Sequence, residues 1–228
     1  TKPGYPIASF YGYKYIGVFQ SEEELAKYPH LSGDKVGDGR YEDVNKDGVL
    51  DQNDKTILGD NNPLFTAGFS NSFSYKNFTL DIQFTGSYGA EVFSFYKRMC
   101  GIYHGDRNGM IEQLGRWQSK DQPGDGIHFR PTRTPSGWQR DPSSAWVQDA
   151  SYLRLRNLTL GYNFDQKVLD KMKMKGLRLY VTGQNLFTIT NYVGYDPETS
   201  SESGLAQGGD YLGYPAARSF IIGANITF

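Results

Sequence analysis

Asp and Asn residues alternate around a single glycine in the stretch DVNKDGVLDQND, which spans residues 43–54. Counted from Asp43, side chains with oxygen atoms stand at positions 1, 3, 5, 9 and 12, and the glycine stands at position 6. This order matches the calcium loop of an EF-hand, where the glycine permits a sharp turn. Calcium takes about six to eight oxygen ligands. The sequence therefore predicts a structural calcium bound by the side chains of Asp43, Asn45, Asp47, Asp51 and Asp54 and by the carbonyl of Val49.

Two features of the stretch depart from the EF-hand pattern. The last ligand position holds Asp54, whereas an EF-hand has a Glu that reaches the ion with both oxygens. No long apolar helices flank the stretch, so we expect a rigid site rather than one that opens when calcium binds. An Asx-rich turn without a metal is the alternative. In either interpretation, the stretch stabilises the conformation of a loop.

No other group of residues indicates a reaction centre. The chain has three histidines, His30, His104 and His128, and their spacing matches no zinc motif. It has no GxSxG elbow, no P-loop and no complete GxGxxG sequence. A formal net charge of −1 provides no overall field that would attract nucleic acid. We therefore predict a protein that is not an enzyme and does not bind nucleic acid.

Alternation of apolar and polar residues predicts the strands that position this loop. Apolar residues take the odd positions from residue 65 to 75, with Asn71 as the one polar exception, and the even positions from residue 78 to 84, with the Lys76-Asn77 turn between them. A period of two on both sides of a two-residue turn is typical of a β-hairpin. Four further strands are predicted, with a bulge near Arg156-Asn157 where the apolar phase shifts: residues 10–19, 152–164, 177–187 and 218–228.

The connections between these six strands alternate between short and long. Residues 76–77 and 165–176 are short links, whereas residues 20–63, 88–151 and 188–217 are long ones. Transmembrane β-barrels have this pattern, with short turns at one membrane surface and long loops at the other. Polar strand faces also suit a watery barrel interior better than an apolar core, and here they carry Asp81, Gln83, Arg154 and Arg156.

We therefore predict an all-β fold in which about six strands form the C-terminal part of a large antiparallel transmembrane β-barrel with long extracellular loops. Six strands are too few, because roughly eight are needed to close such a barrel. No run of about 18 apolar residues predicts a membrane-spanning helix. A soluble, calcium-stabilised carbohydrate-binding β-sandwich is the alternative. It would require polar outward faces, whereas apolar stripes run from Phe78 to Phe84 and from Phe220 to Phe228.

Four stretches together resemble the C-terminal third of SusC-like (RagA-like) TonB-dependent transporters of Bacteroidetes outer membranes. The first runs from Gly37 to Gly89 and contains the acidic loop and the hairpin. The others are YLRLRNLTLGYNF, LRLYVTGQNLFTITNYVGYDPE and the final ARSFIIGANITF. They cover most of the chain, and their combination is specific although each piece alone is weak.

The resemblance implies an architecture, a location and a function. Residues 1–228 would be the C-terminal part of a plugged barrel of roughly 22 strands, and the N-terminal plug domain and the remaining strands are absent from this chain. Its location would be the outer membrane, with a SusD-like surface lipoprotein as a lid and energy from TonB, ExbB and ExbD. The implied function is nutrient import, of glycans and oligosaccharides or alternatively of peptides.

Aromatic residues at the end of the chain and in the loops have more than one interpretation. Phe228 ends an amphipathic strand and resembles the signal that outer-membrane assembly machinery reads, although a strand can simply end in Phe. Aromatic residues in the loops could stack on sugar rings or contact a lid protein. They could equally pack the loops or form an interfacial girdle: Tyr103, Trp117, Trp138, Trp146, Tyr192, Tyr195 and Tyr211.

Overall fold

A computed structural model of the chain describes residues 2–101, 108–131, 142–199 and 207–228. Two compact units are present. We call Thr1–Asn61, Glu91–Gln148 and Thr199–Gly213 the loop unit, and Asn62–Ala90, Asp149–Glu198 and Tyr214–Phe228 the sheet unit. The assignment of all 228 residues to one region of a barrel stays a prediction. Among the described residues, no helix has the length and apolar character needed to cross a membrane.

Short strands dominate the loop unit and long strands dominate the sheet unit. The helices are α1 (Glu22–Lys27), α2 (Phe95–Gly101) and α3 (Gln166–Met172). The strands are β1 (Phe10–Gly12), β2 (Tyr15–Val18), β3 (Gly39–Tyr41), β4 (Thr56–Gly59), β5 (Phe65–Tyr75), β6 (Phe78–Tyr88), β7 (Glu91–Ser94), β8 (Val147–Asp149), β9 (Tyr152–Asn163), β10 (Gly176–Thr190), β11 (Gly209–Asp210) and β12 (Ser219–Thr227).

The sheet unit is one antiparallel sheet of five strands in the order β12-β10-β9-β6-β5. The predicted hairpin is confirmed as β5 and β6, and Lys76 takes the left-handed conformation that the turn requires (φ 53°). The predicted bulge is confirmed as well. Gln83 faces Asn157 and Phe84 faces Leu155, so Arg156 is the extra residue on β9.

The predicted strand over residues 10–19 is wrong as a single element of the large sheet. The segment forms β1, which pairs with β4, and β2, which pairs with β3, in two small separate sheets. Its aromatic residues are the reason, because Tyr13 and Phe19 are almost completely buried inside the loop unit. Burial of these large aromatic side chains stabilises the local core of the loop unit.

The described parts of the long connections contain short strands, helical turns and local cores, which agrees with the rarity of long irregular loops. One cluster in the loop unit packs Val18, Phe93, Phe129 and Trp146 together, and a second joins Tyr13, Tyr41 and Leu50.

Helix α1 begins after Ser21, whose hydroxyl accepts a hydrogen bond from the Glu24 N–H. A 3₁₀ turn covers Ile111–Gly115 in the second long connection.

Candidate functional site

The five-stranded sheet has one apolar face, and its register shows this directly. Phe73 on β5 faces Leu80 on β6, and Leu80 faces Leu160 on β9. Leu160 then faces Val181 on β10, which faces Ile222 on β12. Ile222 is 83% exposed and Phe73 is 54% exposed, so this apolar row is not covered by other parts of the chain. An exposed apolar row that crosses a whole sheet marks a surface that contacts lipid or another protein.

The neighbouring row of residues lies on the opposite face and is polar. It consists of Ser72, Asp81, Thr159, Thr182 and Ile221, one from each strand. The Ser72 hydroxyl donates to the Asp81 carboxylate at 2.6 Å, and the Thr159 and Thr182 hydroxyls are 2.8 Å apart. Ile221 is the one apolar member of this row. The two faces therefore differ in the way that lipid on one side and water on the other require.

An ionic cluster on the polar face connects β9 to the loop that follows β10. We call Arg154, Arg156, Asp196 and Glu198 the polar clasp. Arg154 is 3% exposed, and its guanidinium donates to Asp196 at 2.6 Å and to Glu198 at 2.5 Å. Arg156 also pairs with Glu198. Charge-assisted hydrogen bonds of this kind hold a loop in one position more strongly than neutral ones.

Two threonines orient the arginines of the polar clasp. The Arg154 Nε–H donates to the Thr188 hydroxyl at 2.8 Å, and the Arg156 Nε–H donates to the Thr85 hydroxyl at 2.9 Å. Contacts with the neighbouring strands β10 and β6 therefore fix the orientation of both guanidinium groups. The same groups also bind the loop carboxylates. Arg156 occupies this place because it is the extra residue of the bulge.

The Asp196 carboxylate accepts hydrogen bonds from several parts of the sheet unit. Besides Arg154, it accepts the backbone N–H of Glu198 at 3.0 Å and that of Ala216 at 3.1 Å. Burial alone would raise the pKa of Asp196, but these hydrogen bonds and the charge of Arg154 outweigh it and hold the pKa below its ordinary value. The charged carboxylate therefore stabilises the loop.

The sequence placed Arg154 and Arg156 on the polar face but did not predict their partners. Asp196 and Glu198 lie in the loop that follows β10. They lie about 40 residues from the arginines, and no local period relates positions so far apart. A surplus of unpaired arginines on one strand face is the signal that could have prompted a search for acidic residues.

The acidic loop is closed by hydrogen bonds from its own backbone. Asp54 is completely buried, and its carboxylate accepts the N–H groups of Val44 at 2.9 Å and Asp51 at 2.8 Å. The Asp43 carboxylate accepts the N–H groups of Lys46 at 2.7 Å and Gly48 at 2.8 Å. These contacts are the Asx-turn type that short acidic side chains favour.

The remaining predicted calcium ligands take part in the same closure. The Asn45 side chain accepts the Asp47 N–H at 3.0 Å, Asp47 accepts the Val49 N–H at 2.9 Å, and Asp51 accepts the Asn53 N–H at 2.7 Å. Over the described ranges, no group of three or more His, Cys, Asp or Glu side chains is arranged to hold a metal ion. The loop is thus braced by its own hydrogen bonds, and calcium stays a prediction.

The loop aromatics divide into buried and exposed groups. Trp146 and Tyr192 are each 5% exposed and pack the interior, whereas Tyr195 and Tyr211 are each 65% exposed. Trp117 lies against Gly37. Tyr103 and Trp138 lie outside the described residues. Phe228, which is 76% exposed, follows β12 at the end of the sheet, and its role as an assembly signal stays a prediction.

An aromatic cleft is present within the loop unit. Its volume is about 270 Å³, and Phe93, Phe95, Tyr211 and Arg98 are among the residues that line it. The rings of Phe95 and Tyr211 stack with centroids 4.0 Å apart. Flat aromatic faces beside one guanidinium group suit a ligand that has both apolar ring faces and polar edges.

No protein-family profile matches the chain. Among curated proteins, the TonB-dependent receptor P3 of Formosa agariphila is 35% identical over 234 residues, which cover 100% of this chain and 23% of the receptor. The TonB-dependent receptor SusC of Bacteroides thetaiotaomicron is 27% identical over 229 residues, which cover 100% of this chain and 20% of SusC. The chain thus spans about a quarter or less of the length of these relatives.

Solved structures share the fold. The RagAB peptide importer in its open-open state matches with a TM-score of 0.74 and 23% sequence identity. The match covers 99% of this chain and 23% of the solved chain. A second structure, of the RagAB peptide transporter, matches with a TM-score of 0.75 and 21% identity over 96% of this chain and 22% of the solved chain.

Proposed function

The chain belongs to the SusC-like TonB-dependent transporters, which are outer-membrane β-barrel proteins, and from that premise we propose that it takes part in nutrient import across the outer membrane. It spans between 20 and 25% of the length of its curated relatives, so the import activity is that of a larger assembly. In that assembly the five-stranded sheet would be a section of the barrel wall.

One observation supports this role above the others. A single face of the sheet is apolar and exposed along a row that crosses all five strands, and the opposite face is polar. In a bilayer, every backbone hydrogen bond of a spanning sheet must be made between strands, and the lipid-facing side chains must be apolar. A soluble β-sandwich would instead bury such a face against a second sheet.

The partners follow from the same proposal. The names of the relatives support dependence on TonB, and we propose ExbB and ExbD as further partners, through parts of the transporter beyond this chain. A SusD-like surface lipoprotein would close the extracellular side, where the long loops lie. The relatives are named as receptors and the solved neighbours as importers or transporters, which supports transport rather than catalysis.

The substrate class has two candidates. The aromatic cleft of the loop unit, with the stacked Phe95 and Tyr211, supports a glycan, because sugar rings stack on aromatic faces. The likeness in fold to the RagAB peptide importer supports a peptide.

Uptake by cells that carry the full-length transporter would decide between them. Cells with the intact transporter should take up a labelled oligosaccharide in a TonB-dependent way, and Tyr211→Ala should reduce that uptake while Tyr195→Ala, an equally exposed control, should not. Uptake of labelled peptides but not oligosaccharides would favour the alternative. No TonB-dependent uptake of either class would contradict nutrient import by this transporter.

A further inference from the structure

Lysines are concentrated in the two short connections of the five-stranded sheet. These connections are residues 76–77, between β5 and β6, and residues 164–175, between β9 and β10. They hold five of the chain's 24 basic residues but only two of its 25 acidic residues. We call the following exposed side chains the lysine belt: Lys76, Lys167, Lys171, Lys173 and Lys175.

Acidic side chains do not neutralise the lysine belt. The Asp165 carboxylate accepts the Asn77 side-chain amide at 2.7 Å, and Asp170 accepts the Gln166 amide at 2.8 Å. Within the part of the chain that the structure describes, none of the five lysines forms an ion pair. The hydrogen bond from Asn77 to Asp165 also joins the two connections. The lysines of the two connections therefore lie at the same end of the sheet.

The lysine belt borders the apolar face at a band of aromatic rings. The rings of Phe78 and Tyr162 have centroids 4.9 Å apart, and the Lys76 ammonium lies 5.4 Å from the centre of the Tyr75 ring. Aromatic side chains of this kind mark the level of lipid headgroups in membrane proteins. The ammonium groups that extend beyond them would lie at the level of the phosphates.

The helix between β9 and β10 has the character of an element at a membrane surface. In α3, Leu169 is 4% exposed and anchors the helix, whereas Val168 and Met172 are 40% and 46% exposed. Val168 and Met172 are four residues apart and share one helical face. An exposed apolar face next to lysines is typical of a segment that rests on an anionic lipid surface.

We propose that the lysine belt binds the headgroups of anionic phospholipids in the leaflet that surrounds the short-connection end of the sheet. The proposal rests on the proposed function, because it requires the sheet to stand in a membrane. Each lysine near an anionic surface contributes about 1 kcal/mol, or about a fivefold change in affinity. The belt would hold this end of the barrel wall at a fixed depth and enrich acidic lipids around it.

Native mass spectrometry of the full-length transporter tests the belt. The purified protein is incubated with equal amounts of phosphatidylglycerol and phosphatidylethanolamine, and the lipids that remain bound are counted. We expect phosphatidylglycerol to be preferred by at least about fivefold, the contribution of a single lysine, and the preference to fall as salt rises. Replacement of Lys167, Lys171, Lys173 and Lys175 by Gln should remove the preference, whereas replacement of the same four by Arg should retain it.

A matched variant and a folding assay separate the possible outcomes. Gln at the exposed Lys2, Lys27, Lys35 and Lys120 of the loop unit removes the same charge and should leave the preference intact. A wild-type protein that does not insert into vesicles as a heat-modifiable barrel would contradict the proposed function itself. An inserted barrel whose lipid preference is absent, or is unchanged by the four Gln substitutions, would overturn the belt alone. Lysine-dependent binding of anionic peptidoglycan fragments without a lipid preference would overturn it as well.

Discussion

At the scale of single residues, the polar clasp is the feature that most directly links chemistry to structure. Arg154 is almost completely buried, and both of its acidic partners come from the loop after β10. Removal of one member of a buried ion pair leaves the other charge without compensation, which costs more than the pair contributes in the native state. The clasp therefore holds the loop after β10 against the polar face of the sheet.

Substitution of Arg154 tests the clasp. In Arg154→Met we expect the local opening free energy of residues 191–199 to fall by about 3 kcal/mol, because Asp196 loses its buried partner. Hydrogen exchange of the full-length protein would detect this as faster exchange in that loop only. Arg178→Gln is the control, since Arg178 contacts Asp81 at 3.8 Å and is 35% exposed, and it should change exchange little. Equal exchange in both variants would contradict the role of the clasp.

Acidification should open the same loop. The pKa of Asp196 is lower in the folded protein than in the unfolded chain, so the carboxylate contributes its full stabilisation above the unfolded value of about 4. That contribution is lost as the pH falls below this value toward the folded pKa. Hydrogen exchange, corrected for the intrinsic effect of pH, should therefore show opening of residues 191–199 in the wild type but no further opening in Asp196→Asn. A loop that opens equally in both proteins would contradict this assignment.

Calcium binding by the acidic loop is a separate prediction. We expect calcium, relative to a chelator, to raise the melting temperature of the full-length protein and to slow hydrogen exchange at residues 43–54. Asp47→Asn should abolish the calcium effect, because the amide keeps the oxygen that accepts the Val49 N–H but loses the charge that calcium requires. If calcium changes neither property in the wild type, the loop is braced by hydrogen bonds alone.

At the scale of elements, the sheet depends on side chains that alternate between its two faces along each strand, except at the register shifts of β9 and β10. Ile221 and Ile222 show the consequence, because they are neighbours on β12 but face Thr182 and Val181 respectively on opposite sides of the sheet. Chemically identical side chains thus occupy two different environments. This pair provides a matched comparison in which only the face of the sheet differs.

A charge at each of these positions should have very different effects. Ile222→Arg should destabilise the folded barrel by about 2–4 kcal/mol if the residue lies near the bilayer midplane, because it places a cation in lipid. Ile221→Arg should cost less than about 1 kcal/mol, because the polar face is hydrated. Urea titration of the full-length protein in vesicles, followed by tryptophan fluorescence, would measure both. Similar costs for the two variants would argue against a lipid-facing apolar side.

Strands with a strict period of two could be predicted from the sequence, and strands controlled by distant contacts could not. The hairpin of β5 and β6, the bulge at Arg156 and the helix capped by Ser21 each leave a local signal in pattern or turn chemistry. The segment 10–19 misled the prediction because aromatic alternation is the same for a lipid-facing strand and for one buried in a local core. The clasp was missed because its halves are far apart in sequence.

At the scale of the whole molecule, the central proposal is that the five-stranded sheet is a section of an outer-membrane barrel wall with its apolar face in lipid. The relatives support the family, and the register of the five strands supports the orientation. The loop unit and the polar clasp acquire a transport role only if this claim holds.

The most direct test measures the surroundings of spin labels on the full-length transporter in vesicles. Labels would be placed one at a time in a cysteine-free background, with Cys100 replaced by Ser. We predict that labels at Phe84 and Ile222 collide with oxygen and are shielded from a water-soluble nickel complex, as groups in hydrocarbon are. Labels at the adjacent Gln83 and Ile221 should show the reverse preference. Phe84 and Ile222 labels that report water would contradict the claim.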